Sequence, residues 1–307
     1  MIITCPHCQK EHHIDEQKIP PNVQMAKCKV CGNLFSVKAQ IKPMNEAVEK
    51  KETSNTRTIA ISLSKGGVGK TTTAVNLSAG LAFAGYKVLL VDTDTQGQAS
   101  YMLGLHPKGG LTELLTGELA PDEAIHKARQ GLWILSGGRS LAGVKRMIDR
   151  KDFGGEKTLA ESLGGVHKDY DFVIVDTSPG WDPLTVNVLF YVTELLIPVS
   201  LEVMTLQGLV EFFKSVSSIQ KYRPELSVRY IVPTFLDMRV KNKAQSFLDR
   251  LNKHYSQYMC PPVRYNNTIS QTPMYGKTIF EYAPGSKGAE DYKELVKKVT
   301  NNYDLFK

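Results

Sequence analysis

A glycine-rich stretch near residue 65 decides the architecture more than any other part of the sequence. It follows a largely apolar run, Ile59 to Leu63, which has strand length and is rich in β-branched residues. The stretch itself, Lys65 to Thr72, reads KGGVGKTT, and helically spaced apolar residues come after it. A strand, a glycine loop and a helix together predict a phosphate-binding loop, because inward-pointing N–H groups and a helix N-terminus attract an anion.

Two lysines of this loop stand five positions apart and predict different roles. Lys70 is placed to reach the β- and γ-phosphates, and the Thr71 hydroxyl is placed to ligate Mg²⁺. Ser64 replaces the first glycine of the usual GxxxxGK[ST] pattern, and a second lysine, Lys65, stands at the front of the loop. This loop resembles the deviant Walker A motif of the ParA/MinD class of P-loop ATPases. The resemblance implies that ATP is the ligand and that, in an ATP-bound homodimer, Lys65 reaches the nucleotide of the partner subunit. It also implies these cofactor-binding residues: Lys65, Gly66, Gly67, Val68, Gly69, Lys70, Thr71 and Thr72.

Composition sets weaker limits on function. The chain has 307 residues and a net charge of +7, which suits two domains and contact with nucleic acid or acidic partners. Its start lacks the basic and apolar regions of a secretion signal. The longest apolar region, 184–201, contains Asn187, Glu194 and Pro198, and therefore predicts a helix and a strand rather than a membrane span. We expect a cytoplasmic protein that needs no membrane.

The first 40 residues carry four of the five cysteines as two C-x2-C pairs separated by 19 residues. This spacing is typical of zinc sites, and four thiolates close a tetrahedral, purely structural site. Disulfides are the alternative, which a reducing cytosol disfavours. The segment also resembles a bacterial zinc-ribbon family. We predict a zinc ribbon at 1–40 with ligands Cys5, Cys8, Cys28 and Cys31, its task being protein docking or nucleic-acid contact. A polar linker, 41–56, follows without aromatic residues.

Residues 57–307 alternate between strand-like and helical patterns, which predicts an α/β fold with a doubly wound, mainly parallel sheet. Ligands of such sheets bind at the carboxyl ends of the strands. The predicted strands are 58–63, 87–92, 132–135, 171–176, 194–199 and 228–232. The predicted helices lie near 70–85, 141–150, 183–192, 205–222, 241–255 and 286–303.

Acidic residues follow two of these strands. Asp92 and Asp94 end the second strand, so that one can bind the water shell of Mg²⁺ and the other can orient the attacking water. The sequence DTDTQ is similar to the Walker A′ motif of the ParA family, which makes Asp94 the catalytic carboxylate beside Lys65 and Lys70. Asp176 ends another buried strand and fits the Walker B acid at Mg²⁺. Gly180 can offer its N–H to the γ-phosphate, which makes 177–181 the nucleotide-sensing switch.

The resemblance to ParA proteins extends over the whole body and implies further sites. VRYNNTISQTP resembles the stretch beside the adenine base, so Arg264, Tyr265 and Asn266 are adenine-side candidates, with Pro233 and Thr234 on the other wall. ParA proteins commonly bind DNA without sequence preference when ATP-bound, by neutralising its backbone. Arg239 matches a basic position of that surface, a second basic position is Thr268 here, and Lys241 and Lys243 lie nearby. The group Arg139, Lys145, Arg146, Arg150 and Lys151 is either a further basic surface or a solvated helix face.

The resemblance to ParA proteins implies a weak ATP hydrolase that a ParB-like or cargo-adaptor protein stimulates. It would partition DNA or position a cargo, and it would associate with the nucleoid when ATP-bound. One alternative is a regulator whose zinc ribbon binds nucleic acid and for which nucleotide is only a ligand. A second alternative is a MinD-like membrane-positioning ATPase, since Ala289, Tyr292, Leu295, Val296 and Val299 form an apolar stripe; an ordinary packed helix explains the stripe equally. Cys260 alone in the body excludes a nitrogenase-type bridging cluster.

Overall fold

The computed structural model describes residues 2–13, 25–36, 56–200, 206–237, 239 and 241–307. The chain divides into two compact units, Met1–Ser54 and Asn55–Lys307. Apart from Thr56, the predicted linker lies outside the described residues, as do 14–24 and 37–40 of the predicted ribbon. The exact domain boundaries of the sequence analysis therefore stay predictions.

The first unit contains two short antiparallel hairpins. Strands β1 (Ile2–Thr4) and β2 (Glu11–His13) form one, and β3 (Met25–Lys27) and β4 (Leu34–Ser36) form the other. Each C-x2-C pair lies in the turn of one hairpin. The turns are closed by matching backbone hydrogen bonds, Cys5 N–H to the Lys10 carbonyl and Cys28 N–H to the Asn33 carbonyl. Both cysteine pairs are thus held on knuckles of the same construction.

The second unit contains seven strands and twelve helices among its described residues. The strands are β5 (Arg57–Ile61), β6 (Val88–Asp92), β7 (Ile125–Arg129), β8 (Leu132–Leu135), β9 (Phe172–Asp176), β10 (Glu194–Ser200) and β11 (Ser227–Thr234). The helices are α1 (Lys70–Phe83), α2 (Gln98–Met102), α3 (Leu111–Thr116), α4 (Pro121–Ala124), α5 (Leu141–Asp149), α6 (Thr158–Leu163), α7 (Pro183–Tyr191), α8 (Leu206–Gln220), α9 (Lys241–Tyr255), α10 (Asn267–Gln271), α11 (Ile279–Tyr282) and α12 (Lys287–Thr300).

The predicted mainly parallel sheet is confirmed. Its strand order is β11-β10-β5-β9-β6-β8-β7, and all neighbours are parallel except β7, which runs antiparallel to β8. The sequence analysis missed β7, because three of its five residues, IHKAR, are charged or polar and none of them is fully buried. β5 lies near the middle of the sheet, so the loop that follows it opens at the central carboxyl edge.

Alternation along the strands builds one core on each face of the sheet. Ile59 and Ile61 of β5 pack into the cluster that contains α1 and α12, whereas Ala60 packs into the cluster that contains α7 and α8. β6 and β9 are buried along their whole length. Strands covered on both faces are the mark of a doubly wound sheet, and this burial fixes the positions of the strand ends where the acids lie.

Candidate nucleotide and metal sites

The glycine loop joins β5 to α1 and separates its two lysines by exposure. Lys70 is the first residue of α1 and is buried, with its Nζ donating to the Lys65 carbonyl at 2.7 Å. The Lys65 side chain is exposed. Gly69 has a φ of +82° and lies so close to the Phe235 ring that a Cβ would approach it to 3.1 Å. Lys70 therefore belongs to its own subunit's loop, whereas Lys65 is open to its surroundings.

Two acids meet at the carboxyl edge of the sheet beside this loop. Asp92 of β6 and Asp176 of β9 are direct partners in the register of the two strands. Asp176 has 0% exposure, and neither of its carboxylate oxygens has a hydrogen-bond partner within the described residues. A buried, unpaired carboxylate is costly unless a cation compensates it. This orphaned acid, facing the Thr71 and Lys70 side of the loop, therefore fits a metal-bound nucleotide.

Burial dominates the electrostatics of these groups. It raises the pKa of Asp176 well above its usual value, and the Asp92 charge adds to the shift. The nearby Thr71 hydroxyl, which does not reach hydrogen-bonding geometry, and the Lys70 ammonium oppose it. Burial also raises the pKa of Asp92 to about 7, and it lowers the pKa of Lys70 against the attraction of Asp176 and Asp94. Lys70 alone therefore does not neutralise the two buried acids of this site.

Asp92 and Asp94 bond to the loop that they precede. Asp92 accepts from the N–H groups of Asp94 at 2.9 Å and of Ala99 at 3.1 Å, so it also caps α2. Asp94 is half-exposed and accepts from the N–H of Gln96 at 2.9 Å. Asp92 therefore stabilises the loop, and its part at Mg²⁺ stays a prediction. Of the two acids, Asp94 is the one that water can reach, as its predicted role of orienting the attacking water requires.

Two glycines after β8, Gly137 and Gly138, hold the loop that follows β6 and contains Asp94. The sequence analysis did not single them out. The Gly138 N–H donates to the Asp94 carbonyl at 3.1 Å. A Cβ at Gly137 would lie 2.6 Å from the Asp94 carbonyl oxygen and 2.7 Å from that of Asp92. The Gly-Gly pair at the end of a predicted strand was the signal available in the sequence. Its meaning depends on the side-by-side placement of β6 and β8.

The predicted switch, 177–181, is anchored at its far end by Asp182. Asp182 caps α7 through the Thr185 N–H, and it accepts from Ser178 Oγ and from Lys145 Nζ, the latter at 2.5 Å. Although burial opposes it, Lys145 and these donors hold the pKa of Asp182 below its usual value. Gly180 has a φ of +99°, and Trp181 is 39% exposed with its ring 5.5 Å from that of Phe212.

The adenine-side candidates divide into two groups. Arg264 and Asn266 line a narrow cleft next to the start of α1, whereas the Tyr265 ring lies under the Arg239 guanidinium at 5.7 Å. The Arg264 guanidinium is held by Asp291 of α12 at 2.6 Å. The other wall of the cleft contains Thr234, as predicted, together with Phe235, which the sequence analysis missed. Thr234 Oγ1 donates to the Val68 carbonyl at 2.8 Å and so ties β11 to the glycine loop.

The basic residues that are candidates for DNA binding differ in exposure and in whether they already form an ion pair. Arg239 is exposed and forms a two-point ion pair with Asp237. Lys241 and Lys243 lie in the first turn of α9, and their side chains fall outside the described residues. Thr268 is on the short helix α10. Among the α5 group, Lys145 is committed to Asp182, while Arg139, Arg146, Arg150 and Lys151 are exposed.

The four ribbon cysteines are placed as a tetrahedral metal site requires. Their Sγ atoms lie within 4.8 Å of one another, and the Cys5–Cys31 and Cys8–Cys28 distances are both 3.7 Å. Four sulfurs at the zinc–sulfur distance of about 2.3 Å stand about 3.8 Å apart in a tetrahedron. No disulfide joins them. His12 Nε2 lies 3.2 Å from Cys28 Sγ. Hydrogen bonds from the Cys31 and Val30 N–H groups and from His12 lower the pKa of Cys28 to about 5.

The apolar stripe on α12 is covered by the body of the fold. All five of its residues are buried in the core cluster that contains α1. Within the described residues, no helix combines the length and the apolar character that a bilayer crossing needs.

Comparisons with known proteins agree with this geometry. A family model described as an AAA domain matches residues 56–228, and a zinc-ribbon domain model matches residues 1–36. The chain is 35% identical over 252 residues to the sporulation initiation inhibitor protein Soj of Bacillus subtilis, which covers 80% of this chain and 98% of that protein. It is also 35% identical over 245 residues to the chromosome-partitioning ATPase Soj of Thermus thermophilus, covering 79% and 95%. The crystal structure of cobyrinic acid a,c-diamide synthase from Mycobacterium smegmatis, with a bound ATP analogue and magnesium, matches with a TM-score of 0.71 at 28% identity, covering 81% and 96%.

Proposed function

The chain belongs to the ParA/Soj family of P-loop ATPases, and from this premise we propose that it is an ATP-dependent dimerisation switch. Its product is spatial order, either the partition of a plasmid or chromosome or the positioning of another cellular cargo. The proposed organisation is a zinc ribbon at 1–40, a flexible linker at 41–56 and an ATPase domain at 57–307.

The observation that carries this proposal is the opposite exposure of the two loop lysines. Lys70 is buried against its own loop, and Lys65 is exposed five residues earlier. Lys70 can act in the active site of its own subunit, because it lies beside Asp176 at the start of α1. Lys65 has no acid partner within the described residues. It is available to a phosphate bound by another subunit.

Hydrolysis follows from groups of both subunits. Backbone N–H groups of 66–72 and Lys70 hold the β- and γ-phosphates, and Asp94 orients the attacking water. The partner subunit's Lys65 stabilises the charge that develops on the γ-phosphate. Gly180 donates its N–H to the γ-phosphate, so loss of that phosphate releases the 177–181 loop and opens the dimer. Such a switch is slow alone and is accelerated by a ParB-like or cargo-adaptor protein.

Two metals complete the proposal. Thr71, Asp92 and Asp176 would hold Mg²⁺, which would supply positive charge to the β- and γ-phosphates and to the orphaned Asp176. The four cysteines would hold Zn²⁺, which stabilises a unit too small to bury a sufficient core. The zinc ribbon is then an added docking module.

The test of the dimer is Lys65→Ala. We expect unchanged affinity for a fluorescent ATP analogue, since Lys70 and the loop amides remain, and loss of the ATP-driven dimer in light scattering. Lys221→Ala, which removes an exposed lysine at the end of α8, should behave as wild type. Dimers of normal stability in Lys65→Ala would refute the role of this lysine.

We propose that the ATP-bound dimer binds DNA without sequence preference, with the nucleoid as its cellular location. Arg239, Lys241 and Lys243 are candidate contacts, and ATP-dependent binding should weaken steeply with salt. The separate zinc unit favours one rival, a regulator in which the ribbon recognises the nucleic acid. Deleting residues 1–56 separates the two: the switch retains ATP-dependent DNA binding in a gel assay, and the rival loses it.

A further inference from the structure

Helix α5 and the turn before it carry three arginines, a group separate from the Arg239 region. Arg139 in the turn before α5, Arg146 on α5 and Arg150 at its C-cap are all exposed. The four-position spacing of Arg146 and Arg150 places these two on one side of the helix, which has 3.6 residues per turn. None of the three forms an ion pair within the described residues. Ala142 and Gly143, both exposed, lie between them, and no heavy atom stands within 4 Å of a Cβ built at Gly143.

This group fits the phosphate backbone of a duplex. Helix α5 has 9 residues and is about 14 Å long at 1.5 Å per residue, which is roughly four base pairs of duplex at 3.4 Å each. Guanidinium groups bind phosphate through two parallel hydrogen bonds. The small side chains between the arginines allow a backbone to approach closely and offer little apolar area to a protein or a bilayer. Asp149 is the one acid between Arg139 and Lys151, so the segment keeps a positive excess.

Helix α5 and the turn before it contact both loops that we assign to the γ-phosphate. From its inner side, Lys145 Nζ donates to Asp182 Oδ2, and Asp182 ends the loop that contains Gly180. From its N-terminal side, the 137–138 turn contacts the Asp94 carbonyl through the Gly138 N–H. A change in either loop is therefore transmitted to α5 through a named contact.

We propose that Arg139, Arg146 and Arg150 bind the phosphate backbone of duplex DNA, and that the Lys145–Asp182 ion pair makes this binding depend on the nucleotide. The inference rests on the proposed ATP-dependent DNA binding and assigns its surface and its coupling. Release of the 177–181 loop after hydrolysis moves Asp182, and Lys145 carries that movement into the helix that bears the arginines.

The surface is tested by the triple variant Arg139→Ala, Arg146→Ala, Arg150→Ala in the full chain with ATP. The control removes three other exposed cations, Lys168, Lys221 and Arg229, in the same way. Fluorescence anisotropy with a labelled random duplex gives log K against log salt. Because each phosphate contact contributes about 0.9 to this slope, we expect it to fall in the triple variant by about 2.7 for each subunit that contacts the duplex and to stay unchanged in the control. Circular dichroism melting verifies that both variants fold.

An unchanged slope in the folded triple variant overturns the surface assignment. A triple variant that keeps its DNA slope but loses binding to phosphatidylserine vesicles overturns it in favour of a lipid contact. By contrast, a wild-type protein that binds no duplex in any nucleotide state refutes the proposed DNA binding itself. The two failures are therefore distinguishable.

The coupling is tested by Asp182→Asn, which keeps a side-chain oxygen to cap α7 but removes the charge that holds Lys145. We expect DNA binding to persist and the ratio of affinities with ATP and ADP to fall towards one. Lys145→Gln should give the same loss of nucleotide dependence. A ratio equal to that of wild type in both variants overturns the coupling, whatever the slope measurement shows.

Discussion

Gly137→Ala is the substitution whose effect the structure defines most sharply. Its Cβ would lie 2.6 Å from the Asp94 carbonyl oxygen, where ordinary contact begins at 3.4 Å, so this carbonyl must retreat by about 0.8 Å. Both near neighbours are backbone atoms, which cannot rotate away as a side chain does. Overpacking of this kind costs about 2 kcal/mol, which lowers the melting temperature of a body of this size by about 4–8 °C.

The same displacement moves the carboxylate that we assign to the attacking water. A misplacement of about 1 Å in a reacting group costs on the order of 100-fold in rate. We therefore expect single-turnover ATP hydrolysis to fall by about that factor, while a fluorescent ATP analogue still binds, because the glycine loop is not among the contacts of Gly137.

Gly143→Ala is the matched control, since it adds the same methyl group in open space on α5. It should raise stability by about 0.5–1 kcal/mol, the usual gain from replacing a helical glycine, and leave hydrolysis as it is. If Gly137→Ala melts and hydrolyses ATP like wild type, the 137–138 turn does not hold the acid loop, and the reasoning is wrong.

Three further predictions concern stability and metals. Because burial raises the pKa values of Asp176 and Asp92, the protein without nucleotide should lose stability as pH rises above the usual carboxyl pKa of about 4. Asp176→Asn should reduce that slope to the part due to Asp92 and abolish Mg²⁺-dependent nucleotide binding; calorimetry with and without Mg²⁺ checks both. Thr234→Val deletes a buried hydrogen bond to the glycine loop and should cost about 1–2 kcal/mol and weaken nucleotide binding, measured by denaturation and titration. Cys28→Ser should abolish stoichiometric zinc in metal analysis while the melting of residues 56–307 is unchanged; a lower melting temperature for that body would contradict a separate ribbon.

Much of the fold was readable because its signals are local. The glycine loop, the buried strands and the acids at their ends occupy contiguous stretches, and each stretch carries its own period or motif. The strand β7 escaped because a polar edge strand has no such pattern. The four-cysteine spacing also predicted its cluster, since each pair is closed by a turn of its own.

The parts of the site that the sequence did not reveal depend on contacts between distant residues. Arg264 is bound by Asp291, 27 positions later, and no local pattern announces that pairing. Phe235 reaches Gly69 only because β11 and β5 flank the same strand, β10. The commitment of Lys145 to Asp182 likewise removes from the basic surface a lysine that looked equal to its neighbours. Spacing alone could not rank these side chains.

The position of Trp181 has a practical consequence. The chain has two tryptophans; Trp133 stands in β8 with its ring 5.6 Å from that of Tyr170, while Trp181 directly follows Gly180 and is open to solvent on one side. An indole in that place changes its emission when its polarity or its packing on Phe212 changes. If hydrolysis releases the 177–181 loop as proposed, Trp181 reports that change optically, and replacing Trp133 with phenylalanine would leave Trp181 as the single tryptophan, with no attached dye needed.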